Sequence, residues 1–560
     1  MNRREMLIAM GLVATASPIL AAPAAMDDAG ASSRIFDIRK FGAQGDGKTL
    51  DTAAINKAID ACNSAGGGTV YLGPGVYLSG TVILKSNVTL YLEAGATLLG
   101  SSNLLDYTSV PGPSANGDAN QRHLICARDA ENIGLAGPGT VDGQGPSYWQ
   151  PNGRAPAPAD DAWRDVIAFY WKHGKRPSPM LEFYNCKYLR ITDVHIQNAP
   201  GWTLRPIHCD DVFIRGITIK NPVYGPNTDG IDPTCCQNVF ISDCVIDTGD
   251  DAVCLKSENP YGEALRVSKN ITIVNCVLSG CCNGFKIGTP THGGFENIVF
   301  SNSVIFNDDV PLNSRIISGL AIEMVDGGWI DGLLVSNIRM QRVRTPIFVR
   351  LGNRTPRPDG TPGALRGVTI ENVQASNSIL TSSITGLKGS DVRDVTLSNI
   401  RIETDENGKA EWAGRKIPEE TKSYPEARDF GRLPAYGFYC RHVTGLHFRN
   451  VEFKIGPDEE RAAIVCDDVK DLDLDGIRGG ARPSANISNE PLIKLIGTKR
   501  AFVRGCCVPN QVRTFLEVQG RETESIALTA NNLLAAEQVT LIDPGVPATA
   551  ITASGNVVKS

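Results

Sequence analysis

Short runs in which apolar and polar residues alternate recur along most of the chain. Each run usually begins with Asn or Asp, has the length of a strand, and leads through a small turn to a second alternating run. The phrase starts at Asn87, Tyr188, Asp211, Asn238, Asn270 and Asn297, and the last five starts lie 23 to 32 residues apart. A period of this size is typical of stacked repeats that contact only their neighbours.

The spacing of the runs predicts an all-β fold, a right-handed parallel β-helix. No helical crossover of about a dozen residues fits between them, which excludes a Rossmann or barrel α/β unit. Coils of about 25 residues instead stack strand on strand at ~4.8 Å. Weaker phrases continue at Gly367, Asp394 and Leu446, so we expect the β-helix over 111–510 and a C-terminal coil or cap over 511–560.

An N-terminal cap and the first coils are expected over 35–110. Residues 52–60 carry apolar positions at helical spacing, with Asp51 or Thr52 placed to cap the helix. An amphipathic helix can cover the open end of a β-helix. Four polar, turn-rich stretches then read as loops on the coils, and loops of this length on a rigid solenoid usually shape a binding groove. They are 145–178, 307–318, 353–365 and 403–436.

The amino-acid composition excludes several classes of protein and of partner. Of 560 residues, 42% are hydrophobic and 21% charged, which is enough for a large core and excludes wholesale disorder. The formal net charge of -6 gives no basic footprint, so we expect no nucleic-acid partner. The 15 cysteines are sparse for a disulfide scaffold. Those within strand patterns are interpreted as small core residues, with a disulfide or two left open: Cys186, Cys209, Cys244, Cys254 and Cys276.

The N-terminus carries an export pattern. Arg3 and Arg4 precede an apolar run over 8–20 and an Ala-Pro-Ala sequence ending at Ala24. This resembles a twin-arginine signal over 1–24, and an ordinary secretory signal is the alternative. Both predict a periplasmic or secreted product. No later segment reaches the roughly 18 apolar residues of a membrane helix, so we expect no membrane association after cleavage.

The densest acidic sequence is the pair of segments 227–232 and 247–251. Asp229 and Asp250 lie 21 residues apart, close to one coil, so their carboxylates should stack. Like-charge repulsion would then leave one acid protonated beside ionised neighbours. Glycoside cleavage needs this combination, a proton for the leaving oxygen and a base for water. Alternatively, Asp at Gly-rich turns caps the backbone, a reading that remains open for Asp232 and Asp247.

Asn227-Thr228-Asp229 and Gly249-Asp250-Asp251 resemble the two acidic signatures of glycoside hydrolase family 28, the polygalacturonases and their relatives. Residues 41–47, 66–70 and 74–77 are similar to the N-terminal cap of pectin-degrading β-helix proteins, and 198–203 resembles bacterial members. The resemblance covers about residues 35 to 350. It implies an inverting hydrolase without cofactor or metal, in which Asp250 is the general acid and Asp229 and Asp251 position and activate water. The implied partner is a pectic polysaccharide or oligosaccharide, of galacturonan or rhamnogalacturonan type.

Two departures from the family pattern bear on the substrate. The usual Gly-His-Gly is replaced by Cys282-Asn283-Gly284, and the usual Arg-Ile-Lys aligns with Ala321-Ile322-Glu323. Arg315 begins a similar triplet that lacks the Lys. A branched pectic chain is therefore favoured over ordinary polygalacturonan, and the long loops favour exo action.

Strand alternation suggests what replaces the missing cations. In each case apolar neighbours that face the core turn the charged residue outward. The residues so oriented are Lys256, Lys286, Glu323 and Arg350, predicted to form a ladder along the catalytic face. Arg350 would then bind a substrate carboxylate or neutralise Glu323, unless the row is merely solvated. We assign these four to substrate binding together with Asn227 and Asn283.

Two other functions use the same fold. A pectate-lyase-type eliminase would need calcium-binding acids and an arginine base. A non-catalytic carbohydrate-binding or tail-spike-like protein would tolerate the missing His, but would not require Asp229, Asp250 and Asp251 together. Fold alone does not decide among them.

Overall fold

The fold consists of three stacks of parallel strands. The computed structural model describes residues 34–111, 120–259, 261–262, 264–405, 407–456, 458–479, 489–508 and 510–559. Most turns of the chain add one strand to each stack, and each strand pairs in parallel with its counterpart one coil away. The predicted parallel β-helix is thereby confirmed. The predicted export signal over 1–24 lies outside the described residues.

Stack A carries the recurring phrases seen in the sequence. Its strands are Ile35–Asp37, Gly68–Leu72, Val88–Leu92, Gly134–Ala136, Lys187–Thr192, Asp210–Arg215, Gln237–Ser242, Ser268–Val274, Lys499–Arg504, Glu524–Thr529 and Ile551–Ser554. Four longer strands continue from stack A into stack B: Gly294–Phe306, Trp329–Gln341, Ala364–Ser378 and Val392–Thr404. The coils thus continue past residue 510.

Stacks B and C complete each turn. Stack B contains Asp46–Leu50, Gly75–Ser79, Ala96–Gly100, Thr140–Asp142, His195–Gln197, Thr218–Lys220, Val245–Thr248 and Val277–Gly280. Stack C contains Val82–Ile83, Ile125–Arg128, Leu181–Tyr184, Leu204–Ile207, Val253–Ser257, Asn283–Thr291, Ser318–Met324, Thr345–Leu351, Ser382–Thr385, Ile493–Ile496, Val512–Gln519 and Ala536–Ile542. Ala435–Lys454 and Ala462–Arg478 pass through all three stacks. Two short hairpins lie outside them: Val110–Pro111 with Asn120–Gln121, and Trp149–Pro151 with Trp171–His173.

Asparagine columns explain why the phrases so often begin with Asn. Asn238, Asn270 and Asn297 adopt positive φ, a conformation that Asn tolerates better than most residues. Their side-chain amides form a ladder, with Asn270 donating to Asn238 at 3.0 Å and Asn297 to Asn270 at 3.2 Å. The same turn is thus stabilised in each successive coil.

A helix closes the N-terminal end, as predicted, and extends over Thr52–Ser64. Its buried face is formed by Ile55, Ala58, Ile59 and Cys62. The expected side-chain cap is absent: the Asp51 carboxylate accepts from the backbone amides of Gln44 and Gly45 instead.

A second helix, Ala410–Ala413, lies in a loop. The 3-10 helices are Ile38–Phe41, Leu104–Asp106, Gly145–Tyr148, Ala159–Arg164, Ile167–Tyr170, Leu312–Ser314 and Ala427–Phe430. Within the described ranges, no helix is long and apolar enough to cross a membrane.

Two of the predicted loops, 145–178 and 403–436, cover the outer face of stack C. Buried Arg344, which immediately precedes the stack C strand Thr345–Leu351, donates to the backbone carbonyls of Trp163 and Asp165 at 3.0 and 2.7 Å. Phe430 packs edge-on against Phe348 of the same stack. Outward-facing residues of stack C are therefore buried, and this face carries a second apolar cluster.

The cysteines lie inside the fold without forming disulfides. All 15 are free thiols, and every one except Cys507 is buried. Four of the five singled out lie in the main core: Cys186, Cys209, Cys244 and Cys276. Cys254 does not, because it points to the outer face of stack C, with its Sγ 3.3 Å from the Nζ of Lys256.

Aromatic pairs on opposite faces of the coil wall allow a test of the core. Phe300 is fully buried and stacks on Phe285 at 4.7 Å, whereas Phe240 is 42% exposed and stacks on Phe213 at 5.1 Å. Phe300→Ala should lower the free energy of unfolding by about 3–5 kcal/mol, since it leaves a cavity. Phe240→Ala should cost less than about 1 kcal/mol. Denaturant titration measures both, and equal losses would contradict the assignment of the two faces.

Candidate active site

Three aspartates meet where two consecutive coils enter stack C. Asp229 precedes the segment of Ile231, and Asp251 precedes Val253, which pairs with Ile231 in parallel. With Asp250, their carboxylate oxygens lie within 4.8 Å of one another. The spacing of about one coil had predicted this stacking.

The turns that carry these acids are locked together. Thr228 Oγ1 accepts a hydrogen bond from the backbone amide of Gly249 at 3.0 Å. Residue 249 has to be glycine, because a Cβ there would lie 2.4 Å from the carbonyl oxygen of Gly225. The two acidic segments therefore form a single packed unit.

Lysines of the following coils neutralise two of the three acids. Lys256 Nζ lies 3.3 Å from Asp229 and 3.5 Å from Asp232. Lys286 Nζ lies 3.1 Å from Asp251. Burial works against both charged ammonium groups, but the adjacent carboxylates outweigh it and raise the pKa of each lysine well above its usual value.

Asp250 has no such partner: among the described residues, no lysine or arginine forms an ion pair with it. The amide of Asn227 approaches it at 3.5 Å, and its own Oδ1 accepts from the backbone amide of Asp251 at 2.9 Å. Burial, followed by repulsion from Asp229 and Asp251, raises the pKa of Asp250 well above its usual value. Burial also raises the pKa of Asp229, and Lys256 opposes this. The cluster therefore favours a proton on Asp250.

The Asp251 carboxylate contacts two side chains of the following coil. Asn283 donates to its Oδ1 at 2.7 Å, while Lys286 contacts its Oδ2. Lys286 also donates to the hydroxyl of Tyr424 at 3.2 Å and lies 3.8 Å from Glu323. Asn283 and Lys286 thus fix the orientation of the Asp251 carboxylate, and Glu323 contacts Lys286.

Two cavities meet at Asp250. The first lobe, of 260 Å³, lies over the three acids. Its other lining residues are Arg176, Ser178, Pro179, Trp202, Arg205, Asn227, Lys256, Glu258, Thr289, Pro290 and Tyr424. The second lobe, of 280 Å³, is lined by Ala168, Phe169, Trp171, Lys172, His173 and Pro226, and it shares Asn227 and Asp250 with the first. A polymeric ligand bound across Asp250 can therefore place its neighbouring units in the two lobes.

The predicted charge ladder needs correction. Lys286 pairs in register with Cys254 and Ala321, not with Lys256 and Glu323. Glu323 does pair with Arg350, but the Arg350 guanidinium donates to the backbone carbonyls of loop residues 419 and 420. Neither Arg350, Glu323, Lys286 nor Asn283 lines the described part of the first lobe. Of the six residues assigned to substrate binding, Lys256 and Asn227 do line it.

Other side chains of the site escaped the sequence interpretation. Arg176 and Tyr424 come from loops 145–178 and 403–436, whose sequences show no periodicity. Trp202 lay in the motif 198–203 but was not assigned to the site, and it lies under the ammonium of Lys256 at 4.6 Å.

Asp232 is fully buried beside Lys256, whereas Asp247 is half-buried in stack B, beside Lys220 in register. Neither lines either lobe.

Comparisons with known proteins identify the family of this chain. The family model for glycosyl hydrolases family 28 matches residues 75–423. The chain belongs to this family. A probable polygalacturonase of Vitis vinifera is 28% identical over 65% of the chain and 73% of its own length. An exo-poly-alpha-D-galacturonosidase of Dickeya chrysanthemi is 26% identical over 65% of both chains, and an endo-polygalacturonase of Pectobacterium carotovorum subsp. carotovorum is 28% identical over 63% of this chain and 84% of its own.

A solved exopolygalacturonase structure has the same fold. The exopolygalacturonase of Thermotoga maritima superimposes with a TM-score of 0.52 at 24% identity, over 66% of this chain and 87% of its own. Membership of family 28, together with the named relatives, makes this chain a glycoside hydrolase of the polygalacturonase family, which sets aside the non-catalytic alternative. Of the residues aligned with the family motif in the sequence analysis, Ala321 is the register neighbour of Lys286, and Glu323 lies 3.8 Å from the Lys286 ammonium.

Removing Lys256 should change the pH dependence of this family 28 hydrolase. In Lys256→Met, Asp229 loses the cation that favours its ionised form, so its pKa rises further. If Asp229 is the base, it is active when ionised, and activity is lost as the pH falls through its pKa. The acid limb of the pH–rate profile should therefore move to higher pH. Lys220→Met, an exposed lysine beside Asp247, is the control and should leave the limb in place. An unmoved limb in folded Lys256→Met would show that Asp229 is not the base.

Proposed function

We propose that this protein hydrolyses glycosidic bonds of a pectic polysaccharide or oligosaccharide, with Asp250 as the general acid and Asp229 and Asp251 activating water. One observation carries the assignment: of three clustered acids, two contact a lysine and Asp250 does not. Among the described residues Asp250 forms no ion pair, its pKa is raised well above its usual value by burial and by the neighbouring aspartates, and it borders both lobes. It is therefore placed to protonate the oxygen between two sugars.

The unpaired oxygen of Asp229 supports its role toward water. Its Oδ2 contacts Lys256, while its Oδ1 is buried without a hydrogen-bond partner among the described residues. A buried acceptor of this kind needs a donor, and a water molecule in the first lobe can supply it. The same water would lie beside Asp251, whose orientation is fixed by Asn283 and Lys286.

The substrate class follows from the named relatives and from the enclosed site. The relatives are named polygalacturonases, which supports an acidic pectic substrate of galacturonan or rhamnogalacturonan type. Tyr424 and Arg176 line the first lobe from two different loops, and long loops beside the acids favour release of units from a chain end. The arginine pair and apolar run before Ala24 support export to the periplasm or the medium.

Replacing Asp250 tests the general acid. Asp250→Asn keeps the shape of the side chain but removes its transferable proton, so kcat on oligogalacturonides should fall more than about a hundredfold. The matched control is Asp247→Asn, three residues earlier and outside both lobes, which should stay within about threefold of the wild type. Retention of more than a tenth of the activity in Asp250→Asn would exclude it as the acid.

The stereochemistry of the first product tests the water-activating role. The carboxylates lie closer together than the roughly 6.5–9.5 Å usual for inverting enzymes, a spacing that taken alone suits a nucleophile. We nevertheless propose inversion, which the membership of glycosyl hydrolases family 28 supports. Proton NMR of fresh product in EDTA-containing buffer should show the inverted anomer and undiminished turnover. A retained anomer would make an aspartate the nucleophile, and an unsaturated, EDTA-sensitive product would indicate elimination.

A further inference from the structure

The cations around the first lobe are matched by carboxylates, with one exception. The matched pairs are Arg205 with Glu258 at 2.5 Å and Glu182 at 3.7 Å, Lys256 with Asp229 and Asp232, and Lys286 with Asp251 and Glu323. Arg176 also lines this lobe, yet no Asp or Glu among the described residues forms an ion pair with it. An unmatched cation in such an environment is costly unless a ligand anion completes it.

The contacts of Arg176 fix its guanidinium, and Asp229 and Asp250 attract it without forming a direct ion pair. Nη1 donates to the carbonyl oxygens of Pro200 and Pro226 at 2.8 and 2.7 Å, and Nη2 reaches Asn227 at 3.4 Å. The side chain is 9% exposed. Burial lowers the pKa of Arg176 to about 10 against the attraction of Asp229 and Asp250, so Arg176 remains charged at neutral pH. The site therefore contains a preorganised positive charge with donor capacity left on Nη2.

Gly201 makes room for this arrangement. A Cβ at this position would lie 2.9 Å from Nε of Arg176 and 2.4 Å from Oγ of Ser178. The motif 198–203 thus supplies a carbonyl that holds the guanidinium, a glycine that lets it approach, and Trp202 as the lobe wall.

We propose that Arg176 is a specificity-determining residue that binds the carboxylate of a uronic acid unit in the first lobe. This rests on the proposed function and names the group that the site selects. Charge-assisted hydrogen bonds from a fixed guanidinium suit a carboxylate and discriminate against its neutral ester. Lys172 in the second lobe is a weaker candidate, because it is exposed and solvent screens its charge. His173, beside Arg176, stays neutral because burial and then Arg176 lower its pKa.

The test compares charged and uncharged forms of one substrate. Hydrolysis of trigalacturonate and of its methyl ester, which has the same rings without charge, gives the ratio of the two kcat/KM values. Arg176→Gln should reduce kcat/KM for the acid by about 10- to 100-fold more than for the ester. Arg176→Lys, which keeps the charge, should retain part of the preference. An equal loss on both substrates would assign Arg176 a structural role only and overturn the proposal.

Arg350→Gln is the matched control. Arg350 is also buried, also donates to backbone carbonyls, and burial lowers its pKa to about 10, but it lies outside both lobes. Its replacement should leave the acid-to-ester ratio unchanged, and a ratio that falls as in Arg176→Gln would overturn the proposal.

Binding separates this proposal from the proposed function. If the wild type cleaves neither trisaccharide, the proposed hydrolysis of galacturonan fails, and titration calorimetry of Asp250→Asn then decides. Binding of trigalacturonate over its ester, lost when Arg176→Gln is added, supports carboxylate recognition. Equal binding of both, or no binding, contradicts it. The same titration with Arg176→Lys serves if Arg176→Gln does not fold.

Discussion

Charge balance between neighbouring coils is the constraint on which the site depends. Several carboxylates buried together repel one another and lose hydration, and this is tolerated only when cations compensate. The β-helix supplies the compensation by stacking: Lys256 neutralises acids of the coil before it, and Lys286 does the same one coil later. Glu323 of the next coil then faces Lys286. Negative and positive groups thus alternate along the axis, and Asp250 is the acid left outside the pairing.

The periodic part of this architecture was readable in the sequence, because each coil repeats the same alternation. Strand parity correctly turned Lys256, Lys286, Glu323 and Arg350 outward. Register was not readable, since the loops inserted between coils vary in length and so change which residues pair. Lys286 therefore lies two positions from its expected place, beside Ala321.

The non-periodic part escaped prediction for a different reason. Tyr424 contacts Lys286 across 138 residues of sequence, and no local pattern encodes so distant a contact. Arg350 was expected to face the substrate, but loop 403–436 packs over that face and takes up its donors. The clustered acids thus belong to the repeating coils, whereas Arg176 and Tyr424, which also line the first lobe, belong to the insertions. Loops can diverge without disturbing the acids, which is how one solenoid accommodates different substrates.

The buried thiols have a consequence for where this chain can be folded. Cys440 and Cys466 are register neighbours within the core, and neither is part of a disulfide. The native state gains nothing from oxidation, while an unfolded chain in an oxidising compartment would expose many thiols to wrong pairing. A reducing environment during folding therefore suits this protein. Once folded, the burial of the thiols protects them from oxidants that the finished protein meets.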